Sequence, residues 1–196
     1  MALEDLPGDH LAAVVTSLEM TEPPPAQVLS AGVRLVRWER PEPAAYRALF
    51  RAVGARWLWF SRLLLDDAAL LATIAAPAHE VYRVLDLTGA DAGLVELNFA
   101  IAGNAEIAFF GLLPEQVGQG HGRALMAAAL QLAWRMGIRR VWLHTCTLDH
   151  PSALGFYRSQ GFRAYERQVE IFADPRVLGI LPTDCAPQVP LLARCQ

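Results

Sequence analysis

The chain contains no lysine. All 17 of its basic residues are arginine, which excludes chemistry that needs a lysine Schiff base. The arginines are scattered rather than clustered and the formal net charge is −3, so a nucleic-acid partner is not expected. Cysteine is scarce: Cys146, Cys185 and Cys195 are odd in number, widely spaced and free of any C-x-x-C pair. That argues against a disulfide framework and against a structural zinc site. Long apolar runs are missing too. Although 54% of residues are hydrophobic, no uncharged stretch reaches the ~18–20 residues needed to cross a bilayer, and Asp66 and Asp67 interrupt the longest one. The first residues carry Glu4 and Asp5 instead of a basic stretch. Neither a membrane partner nor a secretory leader is expected, and the expected address is cytoplasmic.

What is present is a mixed pattern in 196 residues, a length suited to a single domain over 1–196. LAAVVTSLEM (11–20) reads as a strand ending at a Pro-rich break, so residues 1–30 are an N-terminal strand and linker. Residues 32–38 suit a second strand. A helix is expected over about 44–53 behind Pro43, then one or two short helices over 56–75, the second opening at Asp66 and Asp67. Three strands follow closely, at 79–87, 93–101 and 105–113, joined by short glycine turns as an antiparallel meander. A helix over about 121–136 stops at Gly137. A strand (138–148), a short helix (151–160) and a last strand (162–172) complete the order, and the proline-bearing tail from 173 to 196 is expected as an extended arm.

The most informative stretch is LLPEQVGQGHGRALMAAAL, residues 112–130. Gly118, Gly120 and Gly122 stand where a strand gives way to a helix. Without Cβ atoms they leave a run of N–H groups open to a ligand. The first four N–H groups of a helix lack internal partners, and the macrodipole adds positive potential there. The result is an anion site suited to phosphate. Each charge-assisted bond contributes roughly 1.5–3 kcal/mol, so three or four outweigh an entropic cost of ~1 kcal/mol per glycine. A P-loop would require Gly-Lys-Ser/Thr, and a dinucleotide fingerprint would require a third glycine where Arg123 stands. Both are excluded.

V-G-Q-G-H-G-R-A-L (117–125) resembles the coenzyme A-binding segment of the GNAT N-acetyltransferase superfamily, Gln/Arg-x-x-Gly-x-Gly/Ala. Gly120 and Gly122 match, and Val117 stands where Gln or Arg is usual. A-L-G-F-Y-R-S-Q-G-F (153–162) resembles that family's final helix-to-strand segment. Ala153, Tyr157, Gly161 and Phe162 match, and His150 takes the usual Asn place. The resemblance covers about 105–163. It implies an α+β fold with a central mixed, mostly antiparallel sheet flanked by helices on both faces, in three α/β/α layers. It also implies acetyl-CoA as co-substrate and a primary amine as acceptor, attacked directly in a ternary complex.

By the same resemblance, pantetheine pairs with the strand ending at Leu112 and Leu113, with the Leu112 N–H at the acyl carbonyl. The pyrophosphate meets the backbone of Val117, Gly118, Gln119, Gly120, His121, Gly122 and Arg123, and His150, Ala153 and Phe156 belong to the cofactor side. Tyr157 fits the acid that protonates the leaving thiolate. Glu106, fourteen positions ahead of Gly120, fits the general base, and Glu96 on the preceding strand is the fallback. Trp57, Trp59 and Phe60 are expected at the acceptor pocket, where aromatic walls with a carboxylate suit a cationic, partly apolar amine. The acceptor is thus a small-molecule amine or a peptide amino terminus. HTCTLDH (144–150) carries metal-type side chains but has no second ligand cluster, so no metal is expected. The departures at Val117 and His150 keep open a non-catalytic acyl-CoA-binding sensor or regulatory module. The oligomeric state stays open between monomer and homodimer.

Overall fold

The structure is a computed structural model and describes residues 3–25 and 32–192. Part of the expected linker and the last four residues, including Cys195, lie outside them. One sheet organises the chain. Its strands are β1 (His10–Met20), β2 (Val33–Arg37), β3 (His79–Asp86), β4 (Asp91–Asn98), β5 (Asn104–Leu112), β6 (Arg140–Cys146) and β7 (Arg163–Ala173). Their spatial order is β2-β3-β4-β5-β6-β1-β7. The expected meander is present as β3, β4 and β5, all antiparallel, and the pairing of β5 with β6 is parallel. The N-terminal strand lies between β6 and β7 and is antiparallel to both.

Helices cover both faces of this sheet. β4 is buried at six consecutive positions, Ala92 to Leu97, as befits a central strand covered on both sides. Val95 and Leu97 pack with Leu125, Met126 and Ala129 of α3 (His121–Ala133). Leu94, pointing the other way, packs with Tyr46, Phe50 and Val53 of α1 (Pro43–Gly54) and with Leu70 and Ile74 of α2 (Asp67–Ile74). α4 (Ala153–Ser159) lies on the α3 side, where Phe156 and Tyr157 pack against that core. None of the described helices is long and apolar enough to cross a membrane.

The local starts and stops follow from side-chain chemistry. The Glu42 carboxylate accepts from the N–H groups of Ala44 and Ala45, ahead of Pro43 at the first turn of α1. Asp66 accepts from the Ala69 N–H and opens α2, as expected from Asp66 and Asp67. The expected first helix of the 56–75 stretch is instead two 3-10 turns, Ala55–Trp57 and Ser61–Leu63. Leu58 adopts φ 57°, the Trp59 N–H reaches back to the Gly54 carbonyl, and the Leu58 N–H reaches Ala55. That pair of bonds terminates a helix, with a leucine in the place usually held by glycine. α3 ends at Ala133, short of the expected 136, because Trp134 leaves the helical region at ψ 74°. The segment expected as an extended arm folds back through turns, with bonds from Val177 to Asp174, Ile180 to Pro175 and Val189 to Ala186.

Candidate active site

β5 and β6 pair over three positions only, Asn104 with Arg140, Ala105 with Val141 and Glu106 with Trp142. Beyond Glu106 the strands part: β5 stays with β4 and β6 stays with β1. A bulge helps, because Glu96 faces Phe109 and Leu97 faces Ile107, which leaves Ala108 unpaired. The gap holds a cavity of about 720 Å³. Glu106, Leu112, Val117, Gly122, His150 and Tyr157 line it, with Ala153 and Phe156 of α4. Trp57, Trp59 and Phe60 line it as well. Leu113, Gly118, Gln119, Gly120 and His121 lie outside that lining, on the approach to α3 and its first turn. Arg123 turns to a second groove, shared with Pro24 and Trp134.

The entrance to α3 differs from those of α1 and α2. Gly120 is its N-cap at φ 81°, and no side chain caps it, whereas Glu42 and Asp66 cap α1 and α2. The positive φ explains the glycine here, since a Cβ would be strained even in open space. At Gly122 the reason is different. A Cβ there would sit 3.6 Å from the Phe156 ring and would enter the cavity wall.

Tyr157 packs between Phe110, Phe156 and Phe162. Burial pushes its hydroxyl well up from the ordinary phenol range, and the charge of Asp149 adds to the push. Asp149 is itself held from several sides: its carboxylate accepts from Thr145 Oγ1 (2.7 Å), the Cys146 N–H (2.9 Å) and Trp59 Nε1 (3.4 Å). Burial and the same carboxylate push the Cys146 thiol up to about 11. HTCTLDH is thus organised around Asp149. Glu106 Oε2 accepts from Asn98 Nδ2 at 3.0 Å. His150 accepts the Ser152 N–H on Nδ1 and meets the Trp57 ring at 5.2 Å.

Glu96 is not at the cavity. Its side chain is fully buried behind Arg62 and His79, which do line the cavity. Glu96, the fallback base and also expected at the acceptor end, thus does not line the cavity, and three of its roughly four lone-pair sites are used by neighbours. His79 Nε2 lies 2.7 Å and Arg62 Nη2 3.0 Å from Oε2, and the Tyr46 hydroxyl donates to Oε1. Burial alone would raise the Glu96 pKa, but the bond from His79 and the charge of Arg62 outweigh it and hold the group below the usual carboxylate range. Sequence reasoning missed Tyr46, Arg62, His79 and Asp149. One signal was available: a glutamate inside GLVELNF, on a strand apolar on both faces, requires buried partners.

The geometry defines a class: an open seven-stranded mixed sheet, split at its parallel pair, with an uncapped helix start beside the split. Solved structures share the fold. A functionally unknown conserved protein from Staphylococcus epidermidis superposes with a TM-score of 0.57 at 17% identity, covering 84% of this chain and 63% of its own. A GCN5-related N-acetyltransferase from Sphaerobacter thermophilus gives 0.57 at 19% identity, covering 87% and 52%. The spermidine/spermine N-acetyltransferase SpeG from Vibrio cholerae gives 0.53 at 20% identity, covering 76% and 96%. At such identities the likeness is one of fold, and the chain spans 63% and 52% of the length of the first two. No curated protein sequence matches significantly. The sequence profile of the Acetyltransferase (GNAT) family matches residues 35–162. The chain belongs to the GNAT acetyltransferase family.

Proposed function

We propose that this protein is an N-acetyltransferase that moves an acetyl group from acetyl-CoA to a primary amine, by direct attack in a ternary complex. The acceptor is a small-molecule amine or a peptide amino terminus. The observation that carries the reading is the uncapped start of α3 beside the β5–β6 split, with Tyr157 and Glu106 lining the same cavity.

The residues fit coenzyme A. The N–H groups from Gly118 to Arg123 suit its diphosphate, with Val117 bordering them through its side chain because its own N–H is bonded to Pro114, and the free stretch of β5 ending at Leu112 and Leu113 suits an extended arm with amide groups. When bound, acetyl-CoA supplies an activated thioester carbonyl. Leu112 then donates its N–H to that oxygen. Glu106 removes a proton from the acceptor ammonium, and the freed nitrogen pair attacks the carbonyl carbon. As the C–S bond broke, the Tyr157 hydroxyl would give its proton to sulfur, and the second proton lost from the acceptor nitrogen would pass through solvent to restore the phenol. His150, Ala153 and Phe156 border the cofactor, and Trp57, Trp59 and Phe60 wall the acceptor.

The test is release of free thiol from acetyl-CoA across a library of amines. Amine-dependent release is the expected result. Tight coenzyme A binding with no release for any amine would overturn the reading in favour of a binding module.

A further inference from the structure

Among the described residues, two that are not glycine have positive φ: Leu58 at 57° and Ala186 at 53°. Both are buried, 4% and 0% exposed, and both belong to one apolar cluster with Leu181. Such strain persists only where the surroundings over-determine it. Here the surroundings come mainly from two segments far apart in sequence, the loop after α1 and the tail after β7, with Leu11 and Leu148 packed beside them.

The tail is locked by Arg176. Its Nε and Nη2 donate to Asp174 at 3.0 and 2.7 Å, and its backbone N–H donates to the same carboxylate at 2.9 Å. Nη1 donates to the carbonyls of Val189 (2.8 Å) and Ala186 (3.4 Å), so one guanidinium gathers the whole fold-back. The pair is almost fully removed from solvent. Gln188 Nε2 then reaches the Arg56 carbonyl at 2.7 Å and ties the tail to the loop.

That loop, 55–63, contains only two 3-10 turns, yet it supplies Trp57, Trp59, Phe60 and Arg62 to the cavity. The reversal at Leu58 sends the two indoles to different partners. Trp57 meets His150, whereas Trp59 packs on Phe109 at 5.0 Å and points Nε1 at Asp149. Phe60 packs on Phe172 of β7 at 5.1 Å, just ahead of the tail. None of residues 117–123 belongs to the cluster around Leu58.

We propose that the tail is a strut that sets the acceptor end of the cavity, with Arg176 a positioning residue acting through Ala186 and Leu58. This rests on the acceptor assignment made above. The strut controls how tightly the acceptor is held; its contact with the cofactor side is confined to Trp57 on His150, away from residues 117–123.

The test uses the full chain carrying Asp174→Asn and Arg176→Gln together, which leaves no lone buried charge. The expected result is an acceptor KM raised about tenfold with kcat and coenzyme A affinity changed less than about twofold, the signature of lost uniform binding. Amide exchange should rise in 55–63 as well as 174–189, and stay unchanged in 118–125. A uniform loss of KM, kcat and coenzyme A affinity overturns the proposal, as does faster exchange in the tail with 55–63 unmoved. Should the double variant not fold, Gln188→Ala removes an exposed side chain and the direct tie to Arg56. Faster exchange at 55–58 supports the strut, and no change there overturns it. If no amine yields thiol, the acetyl-transfer reading fails while exchange at 55–63 still decides the strut.

Discussion

His79 Nε2 lies 2.7 Å from Glu96 Oε2, inside the layer that separates the cavity from the α1 core. With Arg62 on the same oxygen, one carboxylate holds two cationic or polar side chains against the cavity. Removing one member of such a buried set leaves the others uncompensated, at about 3–5 kcal/mol. Glu96→Gln should lose stability on that scale in urea unfolding at neutral pH. The sign with pH follows from the lowered pKa of Glu96 in the folded state, set by His79 and Arg62 against burial. The contribution is present above the unfolded carboxylate pKa of about 4.3 and is lost as pH falls through the lower folded value. Wild type should therefore weaken on acidification through that window, and the variant should show a flatter profile.

Tyr157→Phe should lower kcat about 10²-fold, or ~2.7 kcal/mol of barrier. Because burial and then Asp149 push the Tyr157 hydroxyl up, it stays protonated across an ordinary assay range. No limb of the wild-type pH–rate profile should belong to it. An unaltered kcat in the phenylalanine variant would remove Tyr157 from the reaction.

Two glycines should respond in opposite ways. Gly120→Ala forces a side chain into φ 81°, which costs about 1–2 kcal/mol in the left-handed region, so its Tm should drop. Gly122→Ala meets only ordinary contact with Phe156 and should keep its Tm. Its methyl lies in the cavity wall, so calorimetry should record weaker coenzyme A binding. Equal behaviour of the two would contradict the geometry of the loop.

Glu106→Gln should reduce kcat/KM by about 10² or more, within the range of a lost general base, with coenzyme A binding retained. Asn98→Ala removes the hydrogen bond to Glu106 and should have a smaller effect in the same direction. Full activity in Glu106→Gln would move the base elsewhere.

The parts legible in the sequence are those encoded locally. The β3–β5 meander shows in glycine turns between apolar runs, and the side-chain-free start of α3 shows in glycines beside a helix start. The missing parts depend on residues brought together from afar. Tyr46, Arg62 and His79 reach Glu96 from three different elements, and no spacing encodes that. Leu58 gives no turn signal, because leucine holds φ 57° only through its surroundings. The 3-10 turns in place of a helix follow from it. The expected extended tail rested on its prolines, and the buried Asp174–Arg176 pair that folds it back is local in sequence but depends on carbonyls nine or more residues away.

The seat of β1 between β6 and β7 carries a consequence for biosynthesis. Residues 10–20 find their sheet neighbours only in 141–146 and 163–173. On the ribosome this strand emerges well before either neighbour and waits with both edges bare. An unsatisfied strand edge invites association with other chains. The nascent protein is therefore most vulnerable at its amino-terminal strand, and chaperone shelter matters there first.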